Sequence, residues 1–379
     1  MKLTVQVRLM PTGEQAIALR ETMEAANAAA DRLSEIAWKA QEFRRFPLHR
    51  LGYRAVRDEF PLSSQVVCLL TAKVADAYKL DRRVQRKFRP HGSIAYDLRI
   101  LSVNVLPKSV SIWTVGGREK MSFVCGAREI ALLAYPRGES DLIFRHKKWF
   151  LNITVEVPEE KEIEAIDALG VDMGIVEIAH DSDGKNYSGS TLNKVRHRSR
   201  SLRRKLQRKG TKSAKRMLKK LSRREANFAR NTNHVISKSI VQNAKRTNRA
   251  IAIENLDGIR SRVRARRRQR TKLHSWAFAQ LGSFLEYKAK LAGVPLVRID
   301  PRDTSRRCGK CGHTEKANRK SQSVFSCKSC GYTANADFNG AGNIRLKGLA
   351  LLGAGASNTP TRSDFGNRAE IITSAIPAL

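Results

Sequence analysis

Negative charge is what this sequence has least of. It sets 35 aspartates and glutamates against 72 lysines and arginines, a formal net charge of +37, with a pI near 10.6. Such an imbalance does not fit an ordinary metabolic enzyme. It calls for a polyanionic partner, most simply nucleic acid, because each phosphate that is neutralised releases counterions and drives binding. Long apolar stretches are also missing. No run of about eighteen apolar residues occurs, nor a signal-peptide or lipidation pattern, so no membrane partner is expected. Cysteine is scarce too: six residues in 379, four of them between 308 and 330. The other two, Cys68 and Cys125, sit in apolar contexts and read as core residues. A reducing, intracellular setting follows. The length admits two or three domains, and the 41% apolar content fits a globular protein with a real core.

The four clustered cysteines form two CxxC pairs, Cys308/Cys311 and Cys327/Cys330, with fifteen residues between the pairs. Two tight knuckles at this spacing supply a tetrahedral set of thiolates for zinc, with Zn–S near ~2.3 Å. Gly312 and Gly331 follow the second cysteine of each pair, where a knuckle wants positive φ. No open ligand position is implied, so the zinc is expected to be structural. The competing readings are a redox CxxC and a disulfide pair, which needs an oxidising compartment. Asp337 follows at once, in NADFNGAGN, at the start of a small-residue helix.

In chain order, residues 2–9 alternate as a strand and end at Pro11. Helical periodicity runs through Gln15–Trp38 and Ser63–Leu80, with Phe46–Leu51 as the connection. Residues Tyr96–Val105, Ser109–Thr114, Glu129–Tyr135 and Trp149–Val157 read as short strands. With the first strand these close a small barrel into which the helical segment is inserted. Trp113, Trp149 and Phe150 suit either the barrel core or stacking on bases. Residues 158–168 read as a linker. Leu169–Val171 is a buried-type strand ending in Asp172, with a second strand at Val176–Ala179 and a third beyond the turn at Asp181–Gly184. Lys194–Arg230 carries seventeen basic residues against one glutamate, yet Leu202, Leu206, Leu218 and Leu221 keep a helical stripe. Ile251–Ile253 is another short strand, ending in Glu254. Arg260–Lys272 is a second basic run, expected to order on nucleic acid. Leu273–Ala292 reads as an amphipathic helix and Val294–Ile299 as the last core strand. From Gly348 the composition suggests a weakly ordered tail.

Asp172 and Glu254 after strands and Asp337 at a helix make a set. On an RNase H-type sheet these three points converge, and such carboxylates hold two Mg²⁺ ions about 3.5–4 Å apart. Mg²⁺ prefers hard oxygen ligands to His or Cys. A Gly-x-Asp-x-Gly motif alone also occurs in sugar kinases and other ATPases.

GVDMGI around Asp172, IAIENL around Glu254, TSRRCGKCGH…FSCKSCGY, NADFNGAGNI and the run HSWAFAQLGSFLEYKAKLAGVPLVRIDPRDTS resemble the TnpB (OrfB) family of transposon-encoded proteins, to which type V CRISPR effectors are similar. GSIAYDLRILSV and KKWFLNITVEVPE extend the resemblance over residues 1–345. It implies an α/β multidomain chain: a β-barrel wedge (1–11 and 88–160) with an inserted helical recognition domain (12–87), then an RNase H-like (RuvC) nuclease domain (161–303 and 332–347) with an inserted zinc ribbon (304–331), and a tail (348–379). It implies an RNA-guided DNA endonuclease, a cytoplasmic prokaryotic protein that is nucleoid-associated when bound to DNA. Its partners are a transposon-derived guide RNA and double-stranded target DNA next to a short motif, and a monomer with RNA is expected. Asp172, Glu254 and Asp337 become the Mg²⁺-binding catalytic acids, and Cys308, Cys311, Cys327 and Cys330 the zinc ligands. No HNH-type motif is seen. Expected nucleic-acid contacts are Ser64, Gln65 and Lys73 at the second recognition helix, and Arg203, Arg204, Lys205, Arg266 and Arg267 in the basic runs. For Ser63 or Ser64, helix capping stands as the alternative. Gly340 departs from the family's usual Ala, a small loss of helix propensity, and Asn255 stands where an acidic or varied residue is common. The alternatives are a miniature type V effector and an RNA-guided repressor that does not cut. The intact acids speak against the repressor, and no tyrosine-nucleophile or DDE-type context suggests a strand-joining transposase.

Overall fold

The computed structural model describes residues 1–174, 177–256, 278–321 and 323–355. The chain forms two compact units, Met1–Pro158 and Glu159–Leu379.

The first unit is built on a seven-stranded sheet in the order β2-β6-β7-β1-β5-β4-β3. Its strands are β1 (Lys2–Met10), β2 (Ile94–Tyr96), β3 (Leu101–Asn104), β4 (Ser109–Thr114), β5 (Gly117–Val124), β6 (Arg137–Arg145) and β7 (Lys148–Glu156). All pair antiparallel, and β1 lies at the centre between β5 and β7. The sheet curls so that the edge strand β2 reaches β4, the second strand from the other edge, with the Tyr96 hydroxyl donating to the Trp113 carbonyl at 3.1 Å. Alternation fills the interior with Val5, Val7, Ile112, Phe123, Leu142, Leu151 and Ile153. Trp149 is buried as well.

Between β1 and β2 lie α1 (Gly13–Ala40), α2 (Arg45–Glu59) and α3 (Ser64–Leu80). A Thr12/Gln15 capping box opens α1. Its buried stripe, Leu19, Met23, Ala26, Ala30, Leu33 and Ala37, keeps helical spacing.

Four expectations fail in this unit, each for a local reason. Phe46–Leu51 is no connection but the start of α2. Pro47 stands in the first helical turn, where its missing N–H costs nothing. Glu129–Tyr135 is not a strand, since Ala127–Leu133 forms a short helix, α4. Only Leu133 is buried there, so nothing demands two-residue alternation. Tyr96–Val105 is broken by a turn at Asp97, whose carboxylate accepts the Arg99 N–H at 3.0 Å. Cys68 and Cys125 are half-buried rather than core, and Cys68 Sγ lies 3.4 Å from His49 Nε2.

The second unit carries a five-stranded sheet in the order β10-β9-β8-β11-β12. Its strands are β8 (Asp167–Asp172), β9 (Glu177–Asp181), β10 (Asn186–Ser188), β11 (Arg249–Glu254) and β12 (Leu296–Ile299). β8, β11 and β12 run parallel, while β9 returns antiparallel to β8. Helices α5 (Ser190–Lys209), α6 (Lys212–Leu221) and α7 (Arg224–Arg246) follow β10, and α8 (Phe278–Leu291) precedes β12. The basic segment is therefore helical, but its stripe is only partly covered: Leu202 is exposed, and Leu206, Leu218 and Leu221 are half-buried.

The two central strands sort residues by size. Leu169, Val171, Ile251 and Ile253 join one core with residues of α7 and α8. Ala168 and Ala252 face the other way, in a smaller core with Ile299 and Ile344. That small face admits the last helix, α9 (Ala336–Gly355), at backbone distance. A Cβ at Gly170 would stand 2.1 Å from the Ala341 carbonyl oxygen, and one at Gly348 would stand 2.4 Å from Ala252 Cβ. The helix thus continues past Gly348, where a loose tail was expected, because its glycine lies flat on the sheet. Residues 356–379 lie outside the described residues, as does the basic run 260–272.

Candidate active site and metal centre

Strand register brings the first two acids together. Val171 pairs with Ile253 in the parallel β8–β11 ladder, so the next residues, Asp172 and Glu254, stand side by side at the strand ends. Asp337 arrives from the start of α9, where Asn335 Oδ1 accepts the N–H groups of Asp337 and Phe338 at 2.9 and 3.2 Å. Gly340, one turn along α9, faces Asp172: a Cβ there would stand 2.9 Å from Asp172 Oδ2. The glycine read as a loss of helix propensity instead makes room for the first acid.

The acids sense one another. Burial raises Asp172 to about 7, and the charges of Glu254 and Asp337 add to the rise. Burial also raises Glu254, opposed by the Thr304 hydroxyl that donates to Glu254 Oε1 at 2.5 Å. Asp337 is raised by burial against the pull of Arg319 and His180. Arg319 Nη2 lies 3.5 Å from Asp337 Oδ1. Among the described residues, the cysteines alone form a group of three or more possible ligands with all ligand atoms within 4.8 Å of one another. The carboxylates are thus neighbours without being drawn into so tight a set. Their oxygens are the donors Mg²⁺ prefers, and the mutual repulsion is what a divalent cation would relieve.

Sequence reading missed Thr304, Arg319 and His180. His180 is the register partner of Asp172 across β8–β9 and lies edge-on to Phe338. Thr304 lies fifty positions from Glu254 and Arg319 eighteen from Asp337. Only the fold brings them to the acids, and no local pattern marks them.

The cysteines form two matching knuckles. Cys308 N–H donates to the His313 carbonyl and Gly312 N–H to the Cys308 carbonyl; Cys327 N–H donates to Tyr332 and Gly331 N–H to Cys327. Gly312 and Gly331 take φ of +76° and +71°, as the spacing requires. Sγ–Sγ separations are 3.7 Å for Cys308/Cys330 and 3.6 Å for Cys311/Cys327. A tetrahedral zinc with thiolates at ~2.3 Å sets them about 3.8 Å apart, so the site fits that ion. Backbone N–H groups of Cys330 and Ser329 lower the Cys327 thiol, while burial raises Cys308 in the same cluster. Beneath lie Phe325, fully buried, and the short hairpin β13 (Val324–Ser326) and β14 (Thr333–Asn335). Asn339 and Asn343 of α9 donate to the Arg307 carbonyl at 2.9 and 2.7 Å, tying the first knuckle to the helix that carries Asp337.

The expected nucleic-acid residues fare differently. Arg203, Arg204 and Lys205 are exposed on α5. Ser64 is exposed in the first turn of α3, while Ser63 is the residue that caps it. Gln65 donates to Asp97 Oδ2 at 2.5 Å and accepts from Arg99. Lys73 is turned inward, donating to Asn27 Oδ1 at 2.7 Å and to the Ser93 carbonyl at 2.9 Å. Arg266 and Arg267 lie outside the described residues. No helix among the described residues is long and apolar enough to cross a membrane.

A family model described as Cas12f1-like, TNB domain, matches residues 278–344, which take in α8, β12, all four cysteines and Asp337. The chain is 31% identical over 223 residues to the CRISPR-associated endodeoxyribonuclease Cas12f1 of Sulfoacidibacillus thermotolerans, covering 54% of this chain and 51% of that protein. It is 32% identical over 228 residues to the putative RNA-guided DNA endonuclease InsQ of Escherichia coli K12, covering 55% and 56%. To the TnpB-like protein MJ0751 of Methanocaldococcus jannaschii it is 31% identical over 150 residues, covering 39% and 52%. It spans about half the length of these curated relatives. A cryo-EM structure of a Cas12f1–sgRNA–target DNA complex superposes with a TM-score of 0.64 at 16% identity, covering 88% of this chain and 83% of that one, a likeness of fold.

Proposed function

We propose, from the premise that this chain is a relative of the TnpB-like proteins and the Cas12f effectors, that it is an RNA-guided DNA endonuclease. The observation that carries the reading is the meeting of Asp172, Glu254 and Asp337 from β8, β11 and α9, with Asp172 raised by burial and by its two partners. The sheet order, with three parallel strands and an antiparallel hairpin on β8, supports an RNase H-like (RuvC) nuclease domain in the second unit. The curled sheet of the first unit supports a wedge, and α1–α3 an inserted recognition domain.

In this reading the three acids hold two Mg²⁺ ions. When bound, these supply the charge that activates a water and stabilises the leaving 3′ oxygen. The chain's own residues do the rest. Thr304 fixes one oxygen of Glu254, and its own carbonyl is held by Asn343 Nδ2 at 2.8 Å. Asn335 fixes the turn that presents Asp337. The four cysteines hold a structural zinc that keeps the ribbon folded against α9. Arg203, Arg204 and Lys205 neutralise phosphates of the guide or target strand. Sequence is read by pairing to a transposon-derived guide RNA, the protein adding recognition of a short adjacent motif. Ser64 offers a hydroxyl for that motif; Gln65 and Lys73 join it by exchanging Asp97, Asn27 and Ser93 for DNA. A monomer with its RNA is the working species, and the intact acids favour cutting over repression.

The test is to sequence RNA that copurifies with the protein expressed beside its native flanking DNA. One enriched species ending in variable flank, followed by cleavage of a matching duplex that D172A abolishes, is the expected result. Unselected RNA fragments would overturn the guided reading. A repeat-derived guide in place of transposon-end RNA would favour the CRISPR effector.

A further inference from the structure

The cysteine knuckles and the acids share one short segment of chain, residues 304–309. At one end the Thr304 hydroxyl donates to Glu254 Oε1. Near the other stands Cys308, buried in the thiol cluster. Two asparagines of α9 grip the segment along its length, Asn339 and Asn343, only 3% and 1% exposed. Asn343 Nδ2 donates to the carbonyls of Thr304 and Arg307 at 2.8 and 2.7 Å. Asn339 Nδ2 donates to the same Arg307 carbonyl at 2.9 Å, while its Oδ1 accepts the Gly309 N–H at 3.0 Å. The peptide groups on either side of Cys308 are therefore both tied to α9.

Asparagine is a poor residue for a buried helical turn. Its helix propensity is below that of alanine, and a buried amide destabilises unless it is paired. Here two of them stand one turn apart and so reach the same strip of backbone. Asn339 lies two residues beyond Asp337 and directly before Gly340, which faces Asp172. Gly309 lets the knuckle come this close, since a Cβ there would stand 3.2 Å from Asn339 Oδ1.

We propose that Asn339 and Asn343 are positioning residues that make the geometry of the acids conditional on zinc in the ribbon. This rests on the acids being a metal site. With zinc bound, the four thiols share one tetrahedron and the backbone of Cys308 is fixed. The asparagine clamp passes that position to α9 and so to Asp337, and Thr304 passes it to Glu254. Without zinc the segment loses its fixed end, and the acids lose their spacing although no thiol touches them. Groups that orient a metal's ligands typically change its affinity tenfold or more when they are removed.

The test titrates full-length protein with Mn²⁺ under argon, following free Mn²⁺ by electron paramagnetic resonance and counting as acid-site binding only what D172A removes. Zinc-loaded wild type is expected to bind. The double variant N339A/N343A, still carrying one zinc per chain, is expected to bind roughly tenfold more weakly. Wild type stripped of zinc should fall to the same level. Stripping the double variant should change little further, because the link is already cut. Hydrogen exchange should rise over residues 336–343 in each weakened state and not over residues 1–158. If the double variant fails to keep its zinc, N339A alone carries the same comparison. Three results would overturn the inference: stripped wild type as tight as loaded, a zinc-loaded clamp variant as tight as wild type, or a clamp variant that stripping weakens by the full wild-type factor. Loaded wild type without D172A-sensitive binding would overturn the metal reading of the acids instead.

Discussion

Replacing Gly170 by alanine is the sharpest probe of how the acids are held together. The added Cβ would stand 2.1 Å from the Ala341 carbonyl oxygen, 2.5 Å from the Arg345 nitrogen and 3.0 Å from its Cα. All three are backbone atoms of α9, so no side chain can swing away. Restoring an ordinary contact of about 3.2 Å requires the helix to lift from β8 by about 1 Å, an overpacking that costs about 1–3 kcal/mol. The lift occurs within one turn of Gly340 and so pulls Asp337 away from Asp172. Gly342, on the same helix, is the control, since a Cβ added there would have nothing within 4 Å. G342A gains helix propensity of about 1 kcal/mol. Hydrogen exchange resolved to peptides of residues 336–355 measures both. Protection of α9 should fall about tenfold or more in G170A and rise in G342A. Unchanged α9 protection in G170A, or a greater loss in G342A, would refute the claim that backbone proximity sets the helix position.

Three further outcomes follow from named contacts. Cys327→Ser removes one of the four clustered thiols; zinc, measured by mass spectrometry, should fall well below one per chain, with exchange rising over residues 304–335 and not over residues 1–158. Thr304→Val keeps the side-chain volume but removes the donor to Glu254; cleavage of a guided target should drop about tenfold, with stability falling by about 1–3 kcal/mol. Lys73 is lowered to about 8, chiefly by burial, with Asp141 and Asp31 opposing. The folded chain therefore binds fewer protons than the unfolded chain between pH 8 and the ordinary lysine value of about 10.4. Stability of the first unit should rise with pH across that window, and K73M should flatten the rise in urea titrations; identical slopes in the two proteins would contradict it.

What could be read from the sequence was what lies close together along the chain. The cysteine knuckles are local, each closed by hydrogen bonds spanning four or five residues, so spacing alone revealed them. Asp172 and Glu254 each end a short apolar run, and strand ends are legible. The short strand β2, the turn at Asp97 and helix α4 were harder, because a short apolar run suits a strand or a helix until its neighbours are known. Pro47 disguised a helix start as a connection. β5 and β6 were missed because their charged outer positions, such as Arg118, Glu119, Lys120 and Glu139, dilute the apolar signal. Thr304 and Arg319 left no trace at all. Each belongs to the site through a contact that depends on where two elements dock, and docking is written in residues far from either.

The sorting of large and small residues on the central strands has a consequence for how this chain tolerates change. On the side of α7 and α8, Leu169, Val171, Ile251 and Ile253 meet other flexible side chains, where one volume can be traded for another by repacking. On the side of α9, Gly170 meets the helix backbone and Ala252 meets Gly348 with no slack, while Ala168 packs in the small core with Ile299 and Ile344. A saturation library across β8 and β11 should therefore give alternating rows, permissive and forbidding, with a period of two. The forbidding rows are those that hold the spacing between Asp172 and Asp337, so the geometry of the acid cluster is insulated from drift in the larger core.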